Sequence, residues 1–186
     1  MTSGQPSGAD AERGRRIQYA GATAAVLVLV AILAGWPTPA GLVTGVAVLA
    51  IVLCATVDLV EMRIPNVVTY SGTAFVLGAG AFAGLDVLGD AVLGAAIGGG
   101  ILGVMSLISR GQVGLGDAKL SVLGGSLVGG TYVLPALLIG TLSAVPIFLG
   151  LLLLRRIHRR QAMPYGPYLS LGFVVVTLVA GSVFTR

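Results

Sequence analysis

Charge is scarce in this sequence. Only 10% of its 186 residues are Asp, Glu, Lys or Arg, against 56% hydrophobic, where a soluble domain carries about 25% charged residues. That shortage excludes a water-soluble globular fold, and the mean hydropathy of +1.00 places the chain in a bilayer. Cysteine is nearly absent. A single Cys54 excludes an internal disulfide and a paired-cysteine zinc site, and its place in an apolar run marks it as a small buried hydrophobe. Histidine is equally rare: His158 stands alone in an Arg-rich stretch, which leaves no Ser-His-Asp set and argues against a zinc protease. The net charge of +4 does not form a basic face. It comes from short clusters between apolar runs, a pattern of membrane topology with lipids as neighbours and no nucleic-acid partner.

What is present is a series of apolar runs. The Ser-, Gly- and Ala-rich start reads as a disordered cytoplasmic tail over 1–16, with Arg13, Arg15 and Arg16 at its end. The rest, 17–186, reads as a single polytopic membrane domain, an all-α bundle of about seven transmembrane helices. The expected spans are Ile17–Trp36, Ala40 to about Val57, Val67 to about Leu85, about Val87 to Ser109, Asp117 to near Val133, Pro135–Leu154 and about Gly166 to Phe184. Pro37 and Pro39 break the first from the second, and Asp86 and Asp90 bracket the turn after the third. Small residues at helical spacing, as in Gly94-Ala-Ala-Ile-Gly98, suit close helix packing in lipid.

Seven alternating spans leave no freedom in where the basic residues fall. Arg13, Arg15, Arg16, Arg63, Arg110, Lys119, Arg155, Arg156, Arg159 and Arg160 share the side of the N-terminus, and Arg186 alone falls opposite with Asp86 and Asp90. The positive-inside rule then makes the N-terminus cytoplasmic and the C-terminus external.

Two aspartates lie at cytoplasmic ends of spans, Asp58 after the second and Asp117 at the start of the fifth. Ionisable groups at a membrane boundary are costly unless they face a polar cavity or each other, which makes both functional candidates. Asp58 is followed by Arg63-Ile64-Pro65-Asn66, and Asp117 stands in Gly114-Leu-Gly116-Asp117-Ala-Lys119-Leu120. A third element, Met163-Pro164-Tyr165-Gly166-Pro167-Tyr168, precedes the last span.

In these three elements the chain resembles the type IV prepilin peptidases, membrane aspartic proteases of the Gly-x-Gly-Asp kind. The family carries an Asp, then Arg-Ile-Pro-Asn, later Gly-x-Gly-Asp-x-Lys-Leu, and a Pro-Phe-Gly-Pro element before its last helix. The resemblance covers roughly Ala40 to the C-terminus and implies that Asp58 and Asp117 are the catalytic pair. Longer members carry an N-terminal region with paired Cys-x-x-Cys zinc ligands associated with N-methylation. This chain resembles the short form, so no methyltransferase activity, metal or other cofactor is expected.

Two carboxylates suit amide hydrolysis without a metal, because one takes a proton from water while the other protonates the carbonyl or the leaving amine. Brought close, they share one proton, since both cannot ionise cheaply. Helix-end partial charges assign Asp117, which opens a helix, as the ionised base and Asp58, which closes one, as the acid. Gly114 and Gly116 leave room for an extended substrate backbone. Arg63 and Lys119 either tune the carboxylates, meet an acidic substrate group or anchor the cytoplasmic boundary. Pro65, Pro164 and Pro167 set helix starts. The short fifth span, rich in glycine, is expected to pack loosely and let water reach Ser121.

The implied substrate is a prepilin or pseudopilin precursor whose basic leader is removed at the cytoplasmic face of a bacterial inner membrane, with Glu61 as a leader contact. A preflagellin-like substrate would change only the precursor. The rival readings are a small ion-coupled transporter and a non-catalytic scaffold. A transporter predicts internal repeats and midplane carboxylates, and neither is found.

Overall fold

The computed structural model describes residues 38–109, 114–153 and 165–186. The expected tail 1–16, the expected span Ile17–Trp36, Arg110, the Arg155–Arg160 cluster with His158, and Met163 and Pro164 lie outside the described residues. Among the described residues helices are the only regular secondary structure, five in number: α1 (Pro39–Glu61), α2 (Asn66–Ala83), α3 (Leu85–Ile108), α4 (Leu115–Leu153) and α5 (Gly166–Ala180). Three of them, α1, α3 and the Leu115–Pro146 part of α4, are long and apolar enough to cross a membrane. The chain is a membrane protein. The expected span over Val67–Leu85 is helical as α2 but is not one of these three, and α5 is a shorter apolar helix.

Local chemistry explains the helix ends. Thr38 is extended and its Oγ1 accepts the Gly41 N–H at 3.2 Å, with Pro39 at the first helical position; the cap satisfies an orphan amide and proline has none to lose. The helix does not stop at Val57 as expected. It runs on through Asp58 to Glu61 and closes where Met62 turns left-handed (φ 51, ψ 36), its N–H on the Asp58 carbonyl at 2.9 Å. Pro65 restarts the chain as the cap of α2. The turn between α2 and α3 is Gly84 alone, at φ 145, so Asp86 and Asp90 lie within α3 and do not bracket the turn.

The largest departure from expectation is in α4. Its one non-helical residue is Gly129, at φ 78, ψ 172, a conformation essentially reserved for glycine. A Cβ built on Gly98 of α3 would meet the Ser121 carbonyl at 2.7 Å and Val133 Cγ2 at 3.1 Å, residues that a straight helix would hold about 18 Å apart. The chain therefore reverses at Gly129 into two antiparallel arms. The break was expected between Val133 and Pro135, but Pro135 sits inside the second arm.

A break in apolar surroundings frees backbone groups that must find partners. The Gly130 N–H donates to Asp90 Oδ1 at 2.8 Å. On the other side of the turn the Leu127 carbonyl accepts the Val183 N–H at 3.0 Å, and the Val128 carbonyl accepts from the Arg186 guanidinium, which also lies 4.2 Å from the Tyr132 ring centroid. To reach these partners the chain leaves α5 at Gly181 (φ 81) and folds back, so the expected helix to Phe184 ends at Ala180. Ser182 is held by Thr44, the two hydroxyl oxygens 2.6 Å apart.

The core runs between the helices through Val48, Ile51 and Cys54 of α1, Val76 of α2, Leu120, Leu123 and Leu127 of α4, and Leu169 and Phe173 of α5. Cys54 is a free buried thiol, as expected. Glycines set the spacing of the helices. Gly94 and Gly125 bring the backbones of α3 and α4 into direct contact, Gly172 does the same between α5 and the second arm, and Phe173 fills the place of a side chain at Gly124. Close backbone approach replaces the hydrophobic drive that lipid cannot supply.

Candidate active site

The end of α1 and the starts of α4 and α5 meet at one end of the bundle, opposite the Gly129 turn. Asp58 comes from the last turn of α1 and is 6% exposed; Asp117 comes from the first turn of α4 and is 8% exposed. Their carboxylates lie near enough for the charge of one to act on the other. Of the described residues with polar side chains, these two carry the only buried carboxylates.

Each carboxylate takes a backbone amide. Asp117 is the third residue of its helix and its carboxylate is hydrogen-bonded to the backbone of Gly114, the reach-back of a capping box, while the Asp117 N–H donates to the Gly114 carbonyl at 3.1 Å. Asp58 Oδ2 accepts the Gly166 N–H at 3.0 Å. Gly166 opens α5, so the carboxylate of Asp58, although carried by the closing turn of its own helix, is received by the starting turn of another. Asp58 closes its own helix and Asp117 opens one, as expected, but the contrast in dipole is offset, because the Asp58 carboxylate also stands at the N-terminus of α5, where the dipole favours an anion.

The other residues singled out in the sequence divide into two groups. A Cβ on Gly114 would lie 3.2 Å from Asp117 Oδ2, so this glycine does border the carboxylate. The space at Gly116 is taken by Ile64, whose Cβ would be 3.1 Å from a side chain there; this glycine joins the two motifs. Lys119 reaches the other motif as well. Its Nζ donates to Asn66 Oδ1 at 2.8 Å and lies 5.3 Å from the Tyr70 ring centroid, so the ammonium has its partners at the start of α2. Arg63 and Glu61 are exposed at the same end of the bundle, and neither has an ion pair or hydrogen bond among the described residues.

Ser121 does not meet its expectation. It is 0% exposed, its Oγ has no partner among the described residues, and its backbone packs on Gly98 of α3. The first arm of α4 is short, as expected, but tightly rather than loosely packed. Sequence reasoning missed Gly166 as a carboxylate partner. A Cβ there would lie 2.7 Å from Asp58 Oδ2 and 3.1 Å from Cγ, and the one available signal was the third motif element that contains it.

Two buried carboxylates, near enough for the charge of one to act on the other, have the composition of a paired acid and base. The sequence profile of the type IV leader peptidase family matches residues 45–150, more than half of the chain and both aspartates. Prepilin leader peptidase/N-methyltransferases of Aeromonas salmonicida and Aeromonas hydrophila are each 30% identical to it over 167 residues, 85% of this chain and 55% of theirs. The protein of the same name from Bacillus subtilis is 28% identical over 135 residues, 73% of this chain and 54% of its own. The chain thus spans about half the length of these relatives, and no solved structure gives a significant match. With the aspartates of both matched motifs brought to one buried site, the chain belongs to the type IV leader peptidase family.

Proposed function

We propose that the chain is a membrane-embedded aspartic endopeptidase that removes the leader of type IV prepilin or pseudopilin precursors at the cytoplasmic face of a bacterial inner membrane. The observation that carries this reading is the convergence of Asp58 and Asp117, distant in sequence, into one buried pair with a backbone amide on each carboxylate. In the proposed reaction one carboxylate accepts a proton from a water molecule, whose oxygen attacks the scissile carbonyl. The other gives its proton to the carbonyl oxygen; as the C–N bond breaks, the leaving amine takes the proton held by the first carboxyl and a diol hydroxyl returns one to the second, which restores the pair. The equivalent helix-start settings leave the division of roles to the pair as a unit.

Burial supplies the rest of the argument. A carboxylate pair excluded from bulk water exerts a stronger field on a bound amide than an exposed pair does. A leader that ends beside a bilayer-embedded helix would reach the pair from the end of the bundle where Glu61 stands exposed, and Glu61 is the proposed contact for its basic residues. Arg63 and Lys119 have separate proposed roles: Arg63 as a boundary anchor, and Lys119 as the tie that holds the Asn66 motif against the Asp117 motif.

The test is co-expression with candidate prepilins, leader removal being read by gel shift. Wild type should cleave, and Asp58→Asn and Asp117→Asn should each lose at least about 100-fold, the scale of acid–base catalysis. Glu61→Gln should raise KM for a basic leader and leave kcat unchanged. If folded, inserted wild type cleaves no precursor, the ion-coupled transporter or scaffold reading takes its place.

A further inference from the structure

We infer that Tyr165 and Thr141 form a positioning device for Asp58, holding the start of α5 at the height where its first amide meets the carboxylate. The inference rests on the peptidase reading for its kinetic consequence, but its geometry stands apart from it. Tyr165 Oη and Thr141 Oγ1 are 2.7 Å apart. The Thr141 hydroxyl already donates its proton to the Leu137 carbonyl at 2.8 Å. An O–H has one proton to give, so the Tyr165 phenol donates and Thr141 accepts.

Tyr165 is also the residue from which α5 starts. Its carbonyl accepts the Leu169 N–H at 3.2 Å, the first bond of that helix, and the next amide, of Gly166, is the one on Asp58. The phenol therefore ties the first turn of α5 to the second arm of α4, one residue away from the Asp58 contact. The flank of α5 is seated by glycine: a Cβ on Gly140 would meet the Tyr168 carbonyl at 3.0 Å and Leu169 Cα at 3.1 Å. Glycine packing of this kind fixes how near two helices lie and resists sliding weakly, because it presents no side chains to interlock. The directional bond from Tyr165 to Thr141 supplies what the packing lacks, a fixed register along the helix axis.

Tyr165→Phe keeps the ring and removes only the donor, and Thr141→Val removes the acceptor together with the hydroxyl's own bond to the Leu137 carbonyl. Each should lower kcat for leader cleavage about 3- to 10-fold with KM unchanged, the range of a single hydrogen bond expressed as rate. The double variant should be no slower than either single one, and Thr141→Ser, which keeps the hydroxyl, should restore the wild-type rate. A second readout needs no substrate: the rate at which a carbodiimide modifies Asp58, followed by peptide mass spectrometry, should rise in Tyr165→Phe as the Gly166 amide loosens. Wild-type kcat and wild-type labelling in Tyr165→Phe, or effects of the two substitutions that multiply, would overturn the inference. Wild type inert toward precursors would instead remove the peptidase reading, while altered labelling in Tyr165→Phe would still support the positioning of Asp58.

Discussion

Asp58 and Asp117 reach their positions by different local means, and the difference predicts which neighbours matter. Asp117 is held by its own helix start, through Gly114. Asp58 depends on a residue 108 positions away, the Gly166 amide. Gly166→Ala should therefore act on Asp58 specifically. Its methyl group would fall 2.7 Å from Oδ2, and the carboxylate must swing aside. At the proposed catalytic carboxylate a displacement of that order should cost about 100-fold in rate, with the detergent-solubilised protein still folded by thermal melting. Wild-type turnover in Gly166→Ala would remove the Gly166 contact from the site. The two aspartates were legible in the sequence because an acid stands out in a chain this poor in charge. Gly166 was not, since one of 29 glycines carries no chemical mark and only folding shows that its amide is the useful part.

At the scale of elements, α4 shows what hydropathy misses. Pro135 announced a break between two spans, yet proline within an apolar arm can be absorbed by neighbouring helices, and the reversal lies at Gly129. A positive φ leaves no trace in hydropathy, and four glycines in that stretch offered the same composition at different positions. Asp90 was read from sequence as a turn acid outside the bilayer; it is instead the acceptor that starts the second arm. Asp90→Ala strands the Gly130 N–H and should destabilise the protein by about 1–3 kcal/mol, while Asp90→Asn, which keeps an acceptor oxygen, should recover most of the loss. Gly129→Ala should cost about 1–3 kcal/mol for its backbone conformation alone, with further loss because its Cβ would collide with the Asp90 carboxylate. Denaturation of purified protein in mild detergent measures both. Equal stability of Asp90→Ala and wild type would mean that the turn is held by Val183 and Arg186 without it.

For the whole molecule, the sequence was sufficient for the class of fold and for the meeting of the motifs, because apolar length and the cost of a lone boundary carboxylate are both local quantities. It was insufficient for helix ends, which depend on caps such as Met62 and Gly181 that only the folded backbone reveals. Orientation is the remaining question at this scale, and the described charges bear on it. Arg63 and Lys119 lie at the end that holds the aspartate pair, whereas Asp86, Asp90 and Arg186 belong to the end of the Gly84 and Gly129 turns. The positive-inside rule supports the proposed orientation, with the aspartate end toward the cytoplasm, the side on which the proposed leader substrate would be met. Native Cys54 is 0% exposed and gives no background to thiol labelling, so single cysteines can report the two ends. A membrane-impermeant maleimide applied to intact spheroplasts should label Asp86→Cys and spare Arg63→Cys, and permeabilisation should expose the second. The reverse pattern would place the aspartate pair on the external side, and cleavage at the cytoplasmic face would have to be abandoned even with the pair itself intact.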